Sequence, residues 1–483
     1  MALVPLWQDF AYKSHQVVGI QWMMQRETNE LAQRGGLLCD EMGLGKTIEV
    51  LGLLVNARKP ETLLLCPKAV MNQWKAAATK SRINVSMIDG DAWTVPKPFF
   101  SGRPFLFITN YEKVVMKAQL FGRHWGRIVM DEAHRIKNRN GNLYRKVNEM
   151  QREVTWCVTA TPVVNSLLDI RSLFGLVGYD MQKLLNYGNL LETVETALLH
   201  RSMAEMRPVL PELPRAAMIQ KQSLDFVSED EAEFYRGVQG QIMRRWRGLP
   251  KDAVTAKFAL LMRLRQLSVH PQVYINARRK GIVPYERDDW SVPSTKFTTL
   301  RDMVAGESKP TRWIIFCQFH DEMEILQAFL EKNPAVWRTQ LYHGGITDKE
   351  KEIVIQNTFD NAPGQENGAV KRHDILLLQL QSGGVGLNLQ HFTRVVFMSP
   401  WWTAALMDQA IGRAVRIGQT EQVQVTMLLL KEENSMNIDD AMIEKADAKR
   451  SLLENIFRHA SKGYVEYDDE IQIVDNEEDP QEA

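Results

Sequence analysis

Short runs of apolar, often β-branched residues alternate with helical patterns in two separate parts of the chain. Each run is apolar at consecutive rather than alternate positions, which is typical of parallel strands covered by helices on both faces. The predicted strands are 62–66, 105–109, 127–130 and 154–158 in the first part, and 313–317, 375–380, 394–398 and 423–429 in the second.

Residues 181–300 show mainly helical patterns broken by prolines, and another amphipathic helical pattern begins after residue 435. These patterns predict an α/β protein with two parallel-sheet lobes, a helical insert between them and a C-terminal helix. The predicted units are lobe one at 1–180, the helical insert and linker at 181–300, lobe two at 301–435, and the C-terminal helix with a tail at 436–483.

Composition narrows the class of protein. Hydrophobic residues make up 45% of the 483 residues and charged residues 24%, which argues against a disordered or fibrous chain. The four cysteines form no CxxC pair and the ten histidines show no ligand spacing, so we expect buried, reduced thiols and no structural metal. No apolar run approaches the roughly 18 residues of a membrane helix, and no secretory signal is visible. We therefore expect a reducing interior and no membrane contact.

Charge is distributed unevenly although the net charge is zero. Residues 464–483 contain nine acidic and no basic residues, which leaves residues 1–463 with 59 basic and 50 acidic residues, a net charge of +9. A basic body suggests contact with nucleic acid. The acidic tail either competes with nucleic acid for the basic surface or only improves solubility, and the sequence favours neither.

A phosphate-binding loop is indicated by the string DEMGLGKT at 40–47, which a helical pattern follows at once. Backbone N–H groups of a glycine-containing turn and of a helix N-terminus can hold phosphate oxygens. In such a loop Lys46 would reach the β and γ phosphates and Thr47 would bind magnesium. Asp40 stands where the first glycine of such loops usually lies, and a GKT string in a turn can also arise by chance.

Asp131 and Glu132 follow the predicted strand 127–130 and lie 85 and 86 residues after Lys46. Carboxylates at the C-terminal edge of a parallel strand are well placed to meet a ligand. Asp131 would hold magnesium and Glu132 would polarise the attacking water. Acidic residues are also favoured at a helix N-terminus, so the DEAH string alone is a weak signal.

Two arginines, Arg413 and Arg416, lie three residues apart and would share one face of a helix. Such a pair suits the charge that develops on a transferred γ-phosphoryl group, although a solvated basic face gives the same pattern. The neighbouring Gln409, Ala410 and Ile411 favour a semi-buried site. The glycine-rich stretch 381–389 follows a predicted strand, where it suits either a functional loop or a tight turn.

Together these strings resemble the Swi/Snf family of ATPases in helicase superfamily two, over roughly residues 10–430 and in the family's order. The resemblance implies RecA-like lobes, ATP and Mg²⁺ as cofactors, and hydrolysis by Lys46, Glu132, Arg413 and Arg416. It implies nucleotide contacts by Gln16, Gly43, Gly45, Lys46, Thr47, Asp131, Gly386 and Gln409, with Thr47 and Asp131 holding the metal. It implies DNA contacts by Lys68, Tyr111, Gln318, Ser382 and Trp402.

The pair Trp401 and Trp402 is similar to the branch of replication-repair and helicase-like transcription-factor translocases. The sequence departs from that branch at 403–404, where Thr-Ala replaces Asn-Pro, and at Val415, which replaces His. These departures put the subfamily in question and leave the residues of hydrolysis untouched.

The resemblance implies an ATP-dependent translocase that tracks duplex DNA and remodels or displaces bound proteins, including nucleosomes, with a partner protein for targeting. The expected location is the nucleus, or a viral replication compartment or bacterial cytoplasm for a non-eukaryotic source. Two alternatives are a strand-separating helicase of the same superfamily and a nucleotide-sensing scaffold without turnover. The intact set of Lys46, Glu132, Arg413 and Arg416 argues against the scaffold.

Overall fold

The computed structural model describes residues 3–28, 32–88, 102–116, 120, 122–333, 336–359, 373–381, 387–416, 418–432 and 437–463. The acidic tail lies outside these residues, as do Ser382 and Gly386 and the roles predicted for them. Within the described residues the chain forms two β-sheets, and every strand pair in both is parallel. The predicted class, α/β with two parallel-sheet lobes, is confirmed.

Lobe one contains seven strands. They are β1 (Gly35–Leu38), β2 (Thr62–Cys66), β3 (Asn84–Met87), β4 (Phe105–Asn110), β5 (Arg127–Asp131), β6 (Thr155–Val158) and β7 (Leu198–Leu199), in the spatial order β3-β4-β2-β5-β6-β1-β7. The accompanying helices are α1 (Ser14–Arg26), α2 (Lys46–Asn56), α3 (Met71–Lys80), α4 (Tyr111–Val114), α5 (Asn142–Glu149), α6 (Leu167–Val177), α7 (Tyr187–Ala197) and α8 (Met203–Met206). Buried apolar clusters cover both faces of this sheet.

Lobe two is built on a six-stranded sheet. Its strands are β8 (Met218–Leu224), β9 (Arg312–Cys317), β10 (Val336–Tyr342), β11 (His373–Gln379), β12 (Arg394–Phe397) and β13 (Gln424–Leu430), in the order β10-β11-β9-β12-β13-β8. The helices of the second half are α9 (Glu229–Gly248), α10 (Val254–Val269), α11 (Pro271–Arg279), α12 (Thr295–Gly306), α13 (His320–Leu330), α14 (Asp348–Asn357), α15 (Ala404–Ile411) and α16 (Ile438–Arg458).

All eight predicted strands are present, with boundaries that differ by at most two residues. Five others were not predicted. Of these, β1 is a four-residue strand that begins with two glycines, and β8 is a polar edge strand with most side chains exposed. Neither shows the continuous apolar run that marks a central parallel strand. The segment 181–300, predicted to be mainly helical, therefore also supplies an edge strand to each sheet, β7 and β8.

The C-terminal helix α16 contacts both lobes. Ala446 packs in the core of lobe two, whereas Ile456 and Ala460 lie in the core of lobe one. In the last turn of the helix the Phe457 ring stacks on His200 with centroids 3.5 Å apart, and beyond the helix the backbone at Ser461 pairs with Leu199. The helix therefore packs against both lobes and holds lobe two against lobe one.

All four cysteines are buried and free, as the sequence predicts for a reducing setting. Over the described parts of the chain, no helix is both long enough and apolar enough to span a membrane.

Candidate active site

The loop between β1 and α2 has the backbone of an anion-binding turn. Gly43 and Gly45 adopt φ of 94° and 92°, and Gly45 is the N-cap of α2. This left-handed conformation is accessible to glycine and strained for most other residues, which explains glycine at both positions. Lys46 and Thr47 are the first residues of the helix, so the sequence places N–H groups, an ammonium and a hydroxyl at one helix N-terminus.

Lys46 is held by the start of its own loop. Its Nζ atom donates hydrogen bonds to the carbonyl oxygens of Asp40 at 2.7 Å and Glu41 at 3.3 Å. Both acceptors are backbone carbonyl oxygens at the start of the loop.

Gln16 lies against this loop, as predicted for a residue that reads the base of a nucleotide. Its Nε2 atom donates to the Leu44 carbonyl at 3.4 Å, and its Oε1 atom accepts from the Lys13 N–H at 3.1 Å. A Cβ atom on Gly45 would lie 2.6 Å from Gln16 Nε2, so only glycine allows this approach. Helix α1 and the phosphate loop are therefore fixed relative to each other.

Asp131 ends β5 and is held at both carboxylate oxygens. Trp74 Nε1 donates to Oδ2 at 2.8 Å, and the Glu132 N–H donates to Oδ1 at 3.0 Å. The Tyr111 hydroxyl donates to the Asp131 carbonyl at 2.5 Å. Burial, and then the adjacent Glu132 carboxylate, raise the pKa of Asp131 to about 6, against the opposing effect of Trp74 and Lys46.

Glu132 has a left-handed backbone with φ of 53°, which is unusual for a residue other than glycine. Such strain concentrates at functional sites, where the surrounding structure enforces it. Burial raises the pKa of Glu132, whereas Lys46, Arg413 and Arg135 lower it. Arg413 belongs to lobe two, so this effect acts across the two lobes.

His134 connects Glu132 to Thr159 and Thr161, which directly follow β6. Its Nδ1 atom lies 3.0 Å from Thr159 Oγ1, 3.4 Å from Thr161 Oγ1 and 3.4 Å from Glu132 Oε2. Burial lowers the pKa of His134 to about 4, so the ring is neutral at physiological pH. A neutral ring can form hydrogen bonds with the threonine hydroxyls without adding charge to the site.

The prediction that the two arginines share one face of a helix is wrong, because α15 ends at Ile411 and both lie in the turns that follow it. Arg413 nevertheless lies at the interface between the lobes and not in bulk solvent. Arg413 is only 3% exposed. Burial and the neighbouring Arg416 lower the pKa of Arg413 to about 10, while Glu132 and Asp131 act in the opposite direction. Burial also lowers the pKa of Arg416, whose Nη1 atom donates to the Leu387 carbonyl at 3.3 Å.

The lobes touch directly beside the phosphate loop. A Cβ atom on Gly412 would lie 3.6 Å from Met42 Cβ. Gln409, predicted to contact nucleotide, is 7% exposed and lines a cavity of about 470 Å³ between the lobes. Met42 and Thr161 of lobe one, Gln409 of lobe two and Leu453 of α16 all contribute to its wall.

Two residues of the site carry oxygen atoms of the kind that bind magnesium. Mg²⁺ prefers oxygen ligands and uses one or two carboxylates together with substrate phosphates. Thr47 and Asp131 offer a hydroxyl and a carboxylate. Burial is the main cause of the raised pKa values of Asp131 and Glu132, and a nearby divalent cation would favour the ionised form of both acids. Within the described residues there is no group of three or more His, Cys, Asp or Glu that could form a complete protein cage for a metal.

The four described residues predicted to contact DNA have different surroundings. Lys68 is exposed in the one-turn 3₁₀ helix Lys68–Val70, which suits a phosphate contact. Tyr111 is 2% exposed and stands behind Asp131, so its ring is not presented to solvent. Gln318 is half-buried and its Nε2 atom donates to the Pro400 carbonyl at 3.3 Å.

Trp402 packs inside the second half of the chain. The guanidinium carbon of Arg265 lies 4.7 Å from its ring centroid and 4.4 Å from that of Trp401, and the Phe258 ring is 5.4 Å from Trp402. Through these contacts α10 packs against the segment before α15. The expectation that at least one of the two tryptophans packs in the core is confirmed, because Trp401 is 7% exposed.

Sequence reasoning missed two contributors to the site. Trp74 was not among the residues predicted to form the site, yet it is 3% exposed and positions Asp131. Arg201 was not singled out, although its guanidinium is buried against Asp40 of the phosphate loop. The two partners are 161 residues apart, so no local sequence pattern reveals the pair.

Two known protein families match the two segments of the chain that contribute to this site. The SNF2-related domain matches residues 15–187, and the helicase conserved C-terminal domain matches residues 295–418. Together the two matched segments span more than half of the chain. The first contains the phosphate loop and Asp131, and the second contains the arginine pair.

Several known proteins are similar over most of the chain. The probable global transactivator of Orgyia pseudotsugata multicapsid polyhedrosis virus is 26% identical over 93% of this chain and 92% of its own length. The human SWI/SNF-related matrix-associated actin-dependent regulator of chromatin subfamily A member 1 is 26% identical over 91% of this chain but 43% of its own length. The chain therefore spans less than half of that human relative. The solved Sulfolobus solfataricus SWI2/SNF2 ATPase core in complex with dsDNA covers 96% of this chain and 100% of that one, at 22% identity and a TM-score of 0.40.

Proposed function

Because the chain belongs to the Swi/Snf family of DNA-dependent ATPases in helicase superfamily two, we propose that it hydrolyses ATP between its lobes to move along duplex DNA. Lobe one would bind the triphosphate through the turn at Gly43 and Gly45 and through Lys46. Gln16 would read the adenine. Thr47 and Asp131 would hold Mg²⁺, which lowers the charge on the phosphates during transfer.

The observation that carries this proposal is the burial of Arg413 opposite Glu132. The two residues come from different lobes and affect each other's pKa. Glu132 would orient a water for attack on the γ-phosphorus, and Arg413 with Arg416 would stabilise the negative charge of the transition state. A nucleotide bound between them favours closed lobes because only the closed arrangement brings both groups to the phosphate.

Movement follows if each lobe also grips the DNA. Closure on ATP and separation after loss of the γ-phosphate would then advance the protein along the duplex. Lys68 would contribute a phosphate contact from lobe one, which is independent of sequence and weakened by salt. We infer that the protein displaced can be a nucleosome or another DNA-bound protein, and that the setting is a nucleus or viral compartment, since the relatives include a chromatin regulator and a viral transactivator.

The test is ATP turnover measured in parallel without nucleic acid and with duplex DNA, single-stranded DNA, RNA and nucleosomes. Duplex DNA or nucleosomes should stimulate turnover most, and Glu132→Gln should serve as the inactive control. ATP-driven unwinding of a forked duplex would favour the strand-separating helicase instead. Absence of turnover on every substrate, with retained nucleotide binding, would leave only the nucleotide-sensing scaffold.

A further inference from the structure

A buried ion cluster lies directly behind the phosphate loop. Arg201 follows β7, and its side chain is 2% exposed. Its Nε atom donates to Asp40 Oδ1 at 3.1 Å and Oδ2 at 3.0 Å, and its Nη2 atom contacts the carboxylates of Asp40 and Glu49. Both carboxylates are fully buried. Its Nη1 atom also donates to the His15 carbonyl oxygen.

These partners belong to three different pieces of the nucleotide site. Asp40 begins the phosphate loop, Glu49 lies in the first turn of α2, and His15 precedes Gln16 in α1. One guanidinium thus connects the loop predicted to bind phosphate, the helix that follows it and the helix that carries the base-reading residue. Arginine suits this task because its planar group donates five hydrogen bonds in fixed directions, which lysine does not.

The backbone reinforces the connection. The Arg201 N–H donates to Asp40 Oδ1 at 2.8 Å, and the Glu41 N–H donates to the Arg201 carbonyl at 2.9 Å. The Asp40 carbonyl is in turn an acceptor for Lys46 Nζ at 2.7 Å. A direct chain of contacts therefore runs from Arg201 through Asp40 to the ammonium that would meet the phosphates.

Helix α1 leaves space for this cluster at Gly19. A Cβ atom there would lie 2.3 Å from Glu49 Oε1 and 2.8 Å from Arg201 Nη2. Contacts this short are not tolerated, so a side chain at position 19 would displace the ion cluster or the helix. The glycine is needed for close approach and not for its backbone conformation.

We propose that Arg201 is a positioning residue for nucleotide binding, which sets the distance between Lys46 and Gln16 through Asp40 and His15. This inference rests on the proposed function, because it assigns Arg201 to the same nucleotide site. It also explains why Asp40 can occupy the position where phosphate loops usually have glycine. The carboxylate there is the attachment point of the loop and does not face the phosphates.

The decisive experiment compares Arg201→Lys with a matched control, Arg127→Lys. Arg127 is also in lobe one, is 1% exposed, and donates to both carboxylate oxygens of Glu27. Its partners Glu27 and Ala57 are the C-caps of α1 and α2, at the opposite ends of these helices from Gln16 and Lys46. Both substitutions keep a positive charge and lose the planar fork, so both should lower the melting temperature. Arg201→Lys alone should raise the KM for ATP, by roughly 10- to 100-fold, because small displacements of binding groups have effects of that size.

Direct titration of each folded variant with a fluorescent ATP analogue separates this proposal from the proposed function. Loss of affinity in Arg201→Lys but not in Arg127→Lys supports positioning even where turnover is absent. Equal affinity in both variants, with only the melting temperature lowered, overturns it. Asp40→Asn should weaken binding in the same direction, and the double variant should be no worse than the weaker-binding single variant, since the two residues act as one unit.

Gly19→Ala provides a second variant that alters no charge. It should also weaken the analogue, because the added methyl group displaces Arg201 and Glu49. If Arg201→Lys does not fold, this variant decides the question: unchanged affinity in a folded Gly19→Ala protein overturns the proposal, and a loss comparable to that of Asp40→Asn supports it.

Discussion

The two lobes bring opposite charges to their common interface. In each lobe, burial disfavours the charged form of these side chains. Lobe one presents Asp131 and Glu132, whose pKa values are raised, that of Asp131 to about 6. Lobe two presents Arg413, whose pKa is lowered to about 10. Removal from water disfavours each charge, and the charges of the opposite lobe offset part of that effect. Under the proposed function, closure would complete a site that neither lobe forms alone.

The lobes also differ in how their groups are fixed. Asp131 is held at both carboxylate oxygens by Trp74 and by the backbone, so lobe one is organised before closure. Arg413 lies just beyond the C-terminal end of α15, and its position relative to Glu132 depends on how the lobes meet. The difference predicts that substitutions in lobe one and lobe two impair different steps.

The largest effect should come from lobe two. Arg413→Ala and Arg416→Ala should each lower kcat on the order of 10³-fold or more while ATP binding stays nearly intact, because arginine fingers act on the transition state. Turnover and ATP-analogue affinity measure the two quantities separately. Arg394→Ala is a matched control in lobe two, since Arg394 is half-buried and paired with Glu307. Near-wild-type hydrolysis in both finger variants would contradict a site shared between the lobes.

A somewhat smaller loss is expected in lobe one. Glu132→Gln keeps the size of the side chain but removes its charge, and should reduce kcat by about 10²- to 10⁴-fold. ATP affinity should be retained, because Glu132 would act on water and not on the nucleotide. Loss of affinity equal to the loss of turnover would show instead that Glu132 serves nucleotide binding.

The buried acid Glu49 should make the stability of lobe one depend on pH. Burial, and then Asp40, raise the pKa of Glu49 to about 8, against the effect of Arg201. Because the pKa of Glu49 in the folded state lies above its ordinary value of 4.5, the folded state binds a proton that the unfolded state has lost. This contribution to stability is complete below pH 4.5 and is lost as pH rises through 8.

Glu49→Gln should therefore reduce the fall in melting temperature between pH 5 and 9. Near pH 9 the slopes should differ enough to separate the two proteins by several degrees, which is roughly the response of a domain to 1–2 kcal/mol. Thermal unfolding of wild type and variant across this range provides the measurement. Parallel curves for the two proteins would show that Glu49 is not the group responsible.

The smallest effect concerns the DNA contacts of the two lobes. Lys68→Ala should weaken DNA binding similarly on all sequences and reduce the slope of log affinity against log salt by about 1. Gln318→Ala in lobe two removes a neutral group and should leave that slope unchanged. Equal slopes for wild type and Lys68→Ala would remove Lys68 from the set of phosphate contacts.

Local patterns were sufficient to predict the central strands. All eight apolar runs became strands because a strand buried on both faces must be apolar throughout. The edge strand β8 is mostly exposed and polar, so its sequence does not differ from that of a loop. Tyr111 and Trp74 show a related limit: their types suit DNA contact, but burial decides that they support Asp131.

By itself the sequence determined the two parallel-sheet lobes and predicted the phosphate loop at 40–47 and the acid and arginine motifs, because these depend on residues close together in the chain. Only the tertiary structure decided that Arg413 faces Glu132, that Trp74 fixes Asp131 and that Arg201 anchors Asp40. These contacts join residues from 57 to more than 280 positions apart. Sheet order and lobe packing bring them together, and neither leaves a periodic signal in the local sequence.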